Sequence, residues 1–181
     1  MGYGKKILIY AYGNPGRQDD GLGNALIDLA ETWVKNNDIE QVSLDSNYQL
    51  QVEDVIDMHD KRLIIFVDAD MDGSVEDFRI DPVMASSRAT FTMHALSPGY
   101  LLDLCNRLYG HHPPAYMLHI RGYEWDQGKP MTAGAKRNLD HAWKALLEII
   151  CNPELLVSDY FECVKNDRDK EYKRSTVHLS V

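Results

Sequence analysis

Residues 62–68, Arg62-Leu63-Ile64-Ile65-Phe66-Val67-Asp68, decide the fold. An unbroken apolar run with β-branched residues, closed by an acid, reads as a strand buried on both faces. That is the condition of a strand inside a parallel sheet, where crossover helices cover each side. Working outward, Lys6 to Tyr12 is a second such run, stopped by the turn residues Gly13-Asn14-Pro15-Gly16. From Gly21 on, Leu22, Ala25, Leu26, Leu29, Ala30 and Trp33 recur at three- and four-residue steps and predict an amphipathic helix to about Asn37. Ile39 to Leu44 reads as a strand, Val52 to Met58 as a short helix, and Phe78 to Ile80 as a short edge strand. Thr90 to His94 reads as another strand. Ser97-Pro98 then supplies an N-cap and a first-turn proline for a helix through Leu108. Ala115 to Ile120 is a further strand, and Thr132 to Ile150 a long amphipathic helix. This alternation predicts an α/β protein, a three-layer α/β/α sandwich with a mostly parallel central sheet.

The bulk properties narrow the function. A length of 181 residues is about one domain, and 44% hydrophobic content is enough for a packed core rather than disorder. A net charge of −9 opposes the phosphate backbone, so no nucleic-acid partner is expected. The longest strongly apolar stretch, Leu63 to Val67, is far too short for a bilayer, so no membrane partner is expected either. Cys105, Cys151 and Cys163 are widely spaced with no C-x-x-C, which suits reduced thiols better than a disulfide framework or a zinc ribbon. The opening Met1-Gly2-Tyr3-Gly4-Lys5-Lys6 lacks a signal-peptide pattern, and the cytoplasm is the expected location. The α/β domain is assigned to residues 1–151. Residues 152–181, with Asn152-Pro153 at the start and the charge-dense run Lys165 to Arg174, read as an appended tail with little helical periodicity.

In an open parallel sheet, ligands bind beyond the carboxyl ends of the strands, near a reversal of strand order. Asp20 follows the first strand's turn, Asp68 ends the central strand, and His94 ends a later one. Two carboxylates and one imidazole suit a divalent ion such as nickel, zinc, manganese or iron. Each residue also has a plainer reading. Asp19 or Asp20 could cap the helix starting near Gly21, Asp68 could form a turn, and His94 could be structural.

The stretch Gly13-Asn14-Pro15-Gly16-Arg17-Gln18-Asp19-Asp20-Gly21-Leu22-Gly23 is more specific. No Gly-Lys-Ser/Thr follows and the spacing is not G-x-G-x-x-G, so it is not a phosphate cradle. A G-N-x4-D-D-G-x-G turn between first strand and first helix resembles the hydrogenase maturation endopeptidases, over about residues 5 to 150. The resemblance implies that Asp20, Asp68 (in Ile64-Ile65-Phe66-Val67-Asp68-Ala69) and His94 (in Thr92-Met93-His94-Ala95-Leu96-Ser97-Pro98) together contact nickel as the catalytic and metal-reading set. It further implies an endopeptidase that removes the C-terminal extension of a nickel-loaded nickel–iron hydrogenase large-subunit precursor, the nickel being the substrate's and transient. Asp20 stands where many members have Glu. Asp45-Ser46-Asn47-Tyr48-Gln49-Leu50 replaces a common Asp-Gly-Gly turn, and the segment after Asn152 is longer than is usual.

Two other classes compete. A phospho-acceptor receiver domain also places an acidic pair after its first strand and an Asp after its third, but it needs a Lys where Arg121-Gly122-Tyr123 stands. A non-catalytic binding protein on the same fold is the third reading. The remaining histidines, among them His59, His111, His112, His119, His141 and His178, read as solvated or structural, and Cys105 as core. Ser97 has no nucleophile-elbow context, which argues against a Ser-His-Asp hydrolase.

Overall fold

In the computed structural model, which describes residues 6–87 and 96–164, the run around Phe66 is the middle of a five-stranded sheet. Its strands are β1 (Ile7–Tyr12), β2 (Val42–Asn47), β3 (Leu63–Asp70), β4 (Phe78–Pro82) and β5 (Ala115–Arg121), in the order β2-β1-β3-β5-β4. The first three and β5 are mutually parallel, and β4 closes the edge antiparallel to β5. The helices are α1 (Leu22–Asn36), α2 (Val55–Met58), α3 (Pro98–Tyr109) and α4 (Ala133–Cys151). The predicted strand Thr90 to His94 lies outside the described residues.

Strand period two divides the interior into two cores. Ile7, Ile9, Ala11, Leu63, Ile65 and Val67 pack with Leu22, Leu26 and Ala30 of α1 and with Leu139, Ala142 and Leu146 of α4. Leu8, Tyr10, Ile64 and Phe66 point the other way, onto Val55 and Met58 of α2 and Leu101, Leu102 and Cys105 of α3. Every residue from Leu63 to Val67 is fully buried, as covering both faces of a central strand requires. The result is the expected three-layer sandwich. The helix caps follow local chemistry: the Ser97 side chain accepts from Tyr100 N ahead of Pro98, and Thr132 accepts from Ala135 N.

Beyond α4 the sequence pattern predicts no helix, yet residues 154–164 are helical. Leu156, Val157 and Tyr160 of this segment pack on the α1–α4 core. The Tyr116 hydroxyl donates to Leu156 O at 2.9 Å and to Asp159 Oδ2 at 2.8 Å, tying the segment to β5. Periodicity hides here because Leu155 and Phe161 remain exposed, which puts apolar residues on both faces. No described helix is long and apolar enough to cross a membrane.

Gly23 sets how close α1 lies to the sheet. A Cβ there would stand 3.1 Å from both Tyr12 O and Val67 O and 3.2 Å from Ala11 Cβ. Gly23→Ala would gain about 1 kcal/mol of helix propensity but lose about 1–3 kcal/mol to overpacking. Gly23→Val adds bulk at the same contacts. Chemical denaturation should rank wild type at or above Gly23→Ala, with Gly23→Val clearly below both.

Candidate active site

The chain leaves β1 through a left-handed turn that only glycine tolerates well. Gly13 sits at φ 140°, and a Cβ there would run into the carbonyl oxygen of Asp20. The loop then forms a 3-10 turn over Gln18–Gly21, which carries the two neighbouring acids. Neither acid caps α1, contrary to one expectation: the N-cap position is Gly21, with no side-chain bond. Asp19 turns inward and is 0% exposed. Its carboxylate accepts from Tyr123 N (2.9 Å), Glu124 N (3.2 Å), Thr132 N (2.7 Å) and Thr132 Oγ1 (2.8 Å). The same contact surface is extended by Gln18, which donates to Glu124 Oε2 at 2.7 Å and accepts from Asp126 N at 3.0 Å. Asp19 thus fastens the loop after β1 to the loop after β5 and to the cap of α4. With Asp19 committed to the interior, Asp20 is the half-buried acid of the pair, lightly held by Asn14 N at 3.3 Å and by Arg17 at 3.9 Å.

Asp68 continues β3 on the α3 side of the sheet, in line with Ile64 and Phe66. Its Oδ1 accepts from Ala69 N at 2.8 Å. Burial pushes its carboxyl up to about 8, and the charges of Asp20 and Asp70 push the same way. The adjacent Tyr12 phenol is likewise raised, mainly by burial and then by Asp68. These strand ends lie where chain order reverses, since β1 is followed outward by β2 on one side and by β3 on the other. A cavity of about 490 Å³ opens there, lined by Tyr12, Asp68, Asp70, Asp81, Met117 and His119, with Pro98 and Gly99 of α3 at its side. Asp20 is close enough for its charge to act on Asp68, but it does not line this cavity. His94 lies outside the described residues. Among the described residues, no group of three or more His, Cys, Asp or Glu side chains is arranged to hold a metal ion.

Neither a family model nor a curated protein sequence matches this chain. Solved structures do. A [NiFe] hydrogenase maturation protease, HycI from Thermococcus kodakarensis KOD1, superposes with a TM-score of 0.66 at 18% identity, over 82% of this chain and 94% of that one. The hydrogenase maturating endopeptidase HybD from E. coli gives 0.63 at 15% identity, over 82% and 93%. A hydrogenase 2 maturation peptidase from Thaumarchaeota archaeon SCGC_AB-539-E09 gives 0.58 at 17% identity, over 81% and 98%. The fold is that of the hydrogenase maturation proteases.

On that fold the receiver alternative loses its cation. Arg121 spends Nη1 on Asp72 O at 2.5 Å and Val75 O at 3.2 Å, and its guanidinium lies over the Tyr123 ring. It braces the loop after β3 instead of facing the acids. His119, read from sequence as structural, instead lines the cavity. It is the register partner of Asp68 across the β3–β5 ladder, and its Nδ1 lies 2.9 Å from Asp70 Oδ2. The signal that could have found it is period two: Asp68 and Asp70 share a face of β3, and a histidine at the end of a neighbouring parallel strand shares that face.

Two measurements test this geometry. Asp19→Ala leaves the Tyr123, Glu124 and Thr132 amides without an acceptor and should cost about 3–5 kcal/mol in denaturant unfolding. Asp68→Asn should instead stabilise. With its folded pKa near 8 and an unfolded value near about 3.9, wild type binds a proton in the folded state that the unfolded chain releases. Its stability therefore falls as pH rises between those values. The melting-temperature advantage of Asp68→Asn should be absent near pH 3, grow from about pH 4 to 8, and level off above.

Proposed function

We propose that this chain is an endopeptidase that hydrolyses one peptide bond near the C-terminus of a nickel–iron hydrogenase large-subunit precursor after nickel has been loaded. What supports the reading is the placement of Asp20 in the loop after β1 and of Asp68 at the end of the adjacent parallel strand β3, beside the strand-order reversal of a fold shared with the hydrogenase maturation proteases. Nickel enters as part of the substrate. Two carboxylates from Asp20 and Asp68, with the His94 imidazole as third donor, form a mixed oxygen–nitrogen set suited to such an ion.

Asp68 gives the reading a physical switch. An acid pushed up to about 8 is mostly protonated at neutral pH and is then a poor ligand. Arrival of a divalent cation favours the carboxylate, displaces the proton and leaves Asp68 free to coordinate. A nickel-free precursor meets a neutral acid and gains nothing from it. The cation also registers the precursor, so that the scissile bond is placed in the neighbouring cavity, an effect of orientation. The chain works in the cytoplasm on this reading, which the three free thiols of Cys105, Cys151 and Cys163 support.

The test is incubation with hydrogenase large-subunit precursors from the same cell, nickel-loaded and nickel-free, followed by mass measurement. One C-terminal fragment should leave the loaded form only. Equal cleavage of the nickel-free form would refute the switch, and no cleavage of any loaded precursor would refute the function. His94→Ala and Asp20→Asn should each abolish processing while leaving the melting temperature close to wild type.

A further inference from the structure

Close to Asp68, the cavity holds a second acid–imidazole arrangement that nickel recognition leaves unused. Asp70 Oδ1 accepts from Asp72 N at 2.7 Å, which fixes the carboxylate, and its other oxygen lies 2.9 Å from His119 Nδ1. A carboxylate oxygen that close to a ring nitrogen favours the tautomer with the proton on Nδ1. The lone pair then belongs to Nε2. On that side Asp81 Oδ2 stands 3.6 Å away, beyond hydrogen-bond length, and is itself held by Arg79 Nε at 2.5 Å. Among the described residues Nε2 is thus the ring atom without a hydrogen-bond partner, on a residue that lines the cavity and is about one-quarter exposed. Both strands that carry the arrangement are rigid parts of the sheet: Asp70 pairs with Arg121, and His119 with Asp68.

We propose that His119 is the proton-transfer residue of the hydrolysis, oriented at Nδ1 by Asp70. The proposal rests on the peptidase reading above. In it, Nε2 takes a proton from a water as the water oxygen bonds to the scissile carbonyl carbon. The tetrahedral intermediate collapses with cleavage of the C–N bond, and the proton on Nε2 passes to the departing amide nitrogen. One water is consumed, one carboxyl and one amine are formed, and His119 returns to its starting state. Asp70, at Nδ1, faces the imidazolium that exists between the two transfers, the place that the acid takes beside the catalytic histidine of serine hydrolases. Asp20 and Asp68 keep the task of reading the cation, so recognition and proton transfer lie on adjacent parts of one sheet edge.

A purely structural role for the Asp70–His119 contact is separated by His119→Asn. Its amide nitrogen reproduces Nδ1 and can keep facing Asp70, but nothing replaces Nε2. With nickel-loaded precursor, His119→Asn and His119→Ala should both lower kcat by roughly 10²- to 10⁴-fold, with KM within a few-fold of wild type and an unchanged melting curve for His119→Asn. His141→Ala, which breaks the surface His141–Asp77 contact of the same 2.9 Å length, should process at the wild-type rate. Wild-type kcat in His119→Asn, or a loss confined to KM, would overturn the proposal and leave the peptidase reading standing. Failure of wild type to cleave any loaded precursor would overturn both.

Discussion

The buried carboxylate of Asp19 is the constraint on which the working edge depends. A fully enclosed charge is costly unless its oxygens are satisfied, and here four donors from one distant loop and a helix cap satisfy them. The consequence is mutual. Asp19 holds the loop after β5 in place together with Gln18, and that loop in turn supplies the amides that let Asp19 point inward. Gly122 shows how tight the junction is: a Cβ at that position would come 3.1 Å from Asp19 Cβ and 3.0 Å from Trp125. The clamp fixes the loop that also carries Asp20, the next residue, whose charge acts on Asp68.

The opposite electrostatic solution operates a few residues away. Asp68 is half-buried and, among the described residues, receives only the Ala69 amide, and its carboxyl is pushed up. Asp19 is ringed by N–H and O–H donors, whereas Asp68 stands half-buried beside the like charges of Asp20 and Asp70. A carboxyl held in that state costs folding stability above its unfolded pKa, and it is the kind of local expense that functional sites commonly carry. The parallel register transmits this arrangement across the sheet, since the Asp68–His119 pairing brings β5's histidine beside the acids.

Much of this was legible in the sequence, and the reasons are local. The apolar run Leu63 to Val67 and the steps from Leu22 to Trp33 are period signals, and the Ser97-Pro98 cap is set by its own side chains. The positions of Asp20 and Asp68 at strand ends followed from those elements. The division of labour between Asp19 and Asp20 did not, because the partners of Asp19 are more than a hundred residues away. The place of His119 beside Asp68 was not legible for the same reason, since it comes from β5 lying beside β3, a crossover neighbour. Helix 154–164 was missed because its exposed Leu155 and Phe161 blur the apolar face.

The central claim is that the Asp20–Asp68 edge recognises a cation carried by its partner, and precursor affinity measures it most directly. Titration calorimetry of the full chain should compare nickel-loaded and nickel-free hydrogenase large-subunit precursor at neutral pH, with mass measurement afterwards to check for turnover. The account predicts binding tighter by tenfold or more for the loaded form, about 1.4 kcal/mol or greater, accompanied by release of the Asp68 proton to buffer. Equal affinity for the two forms, with no proton released, would contradict it.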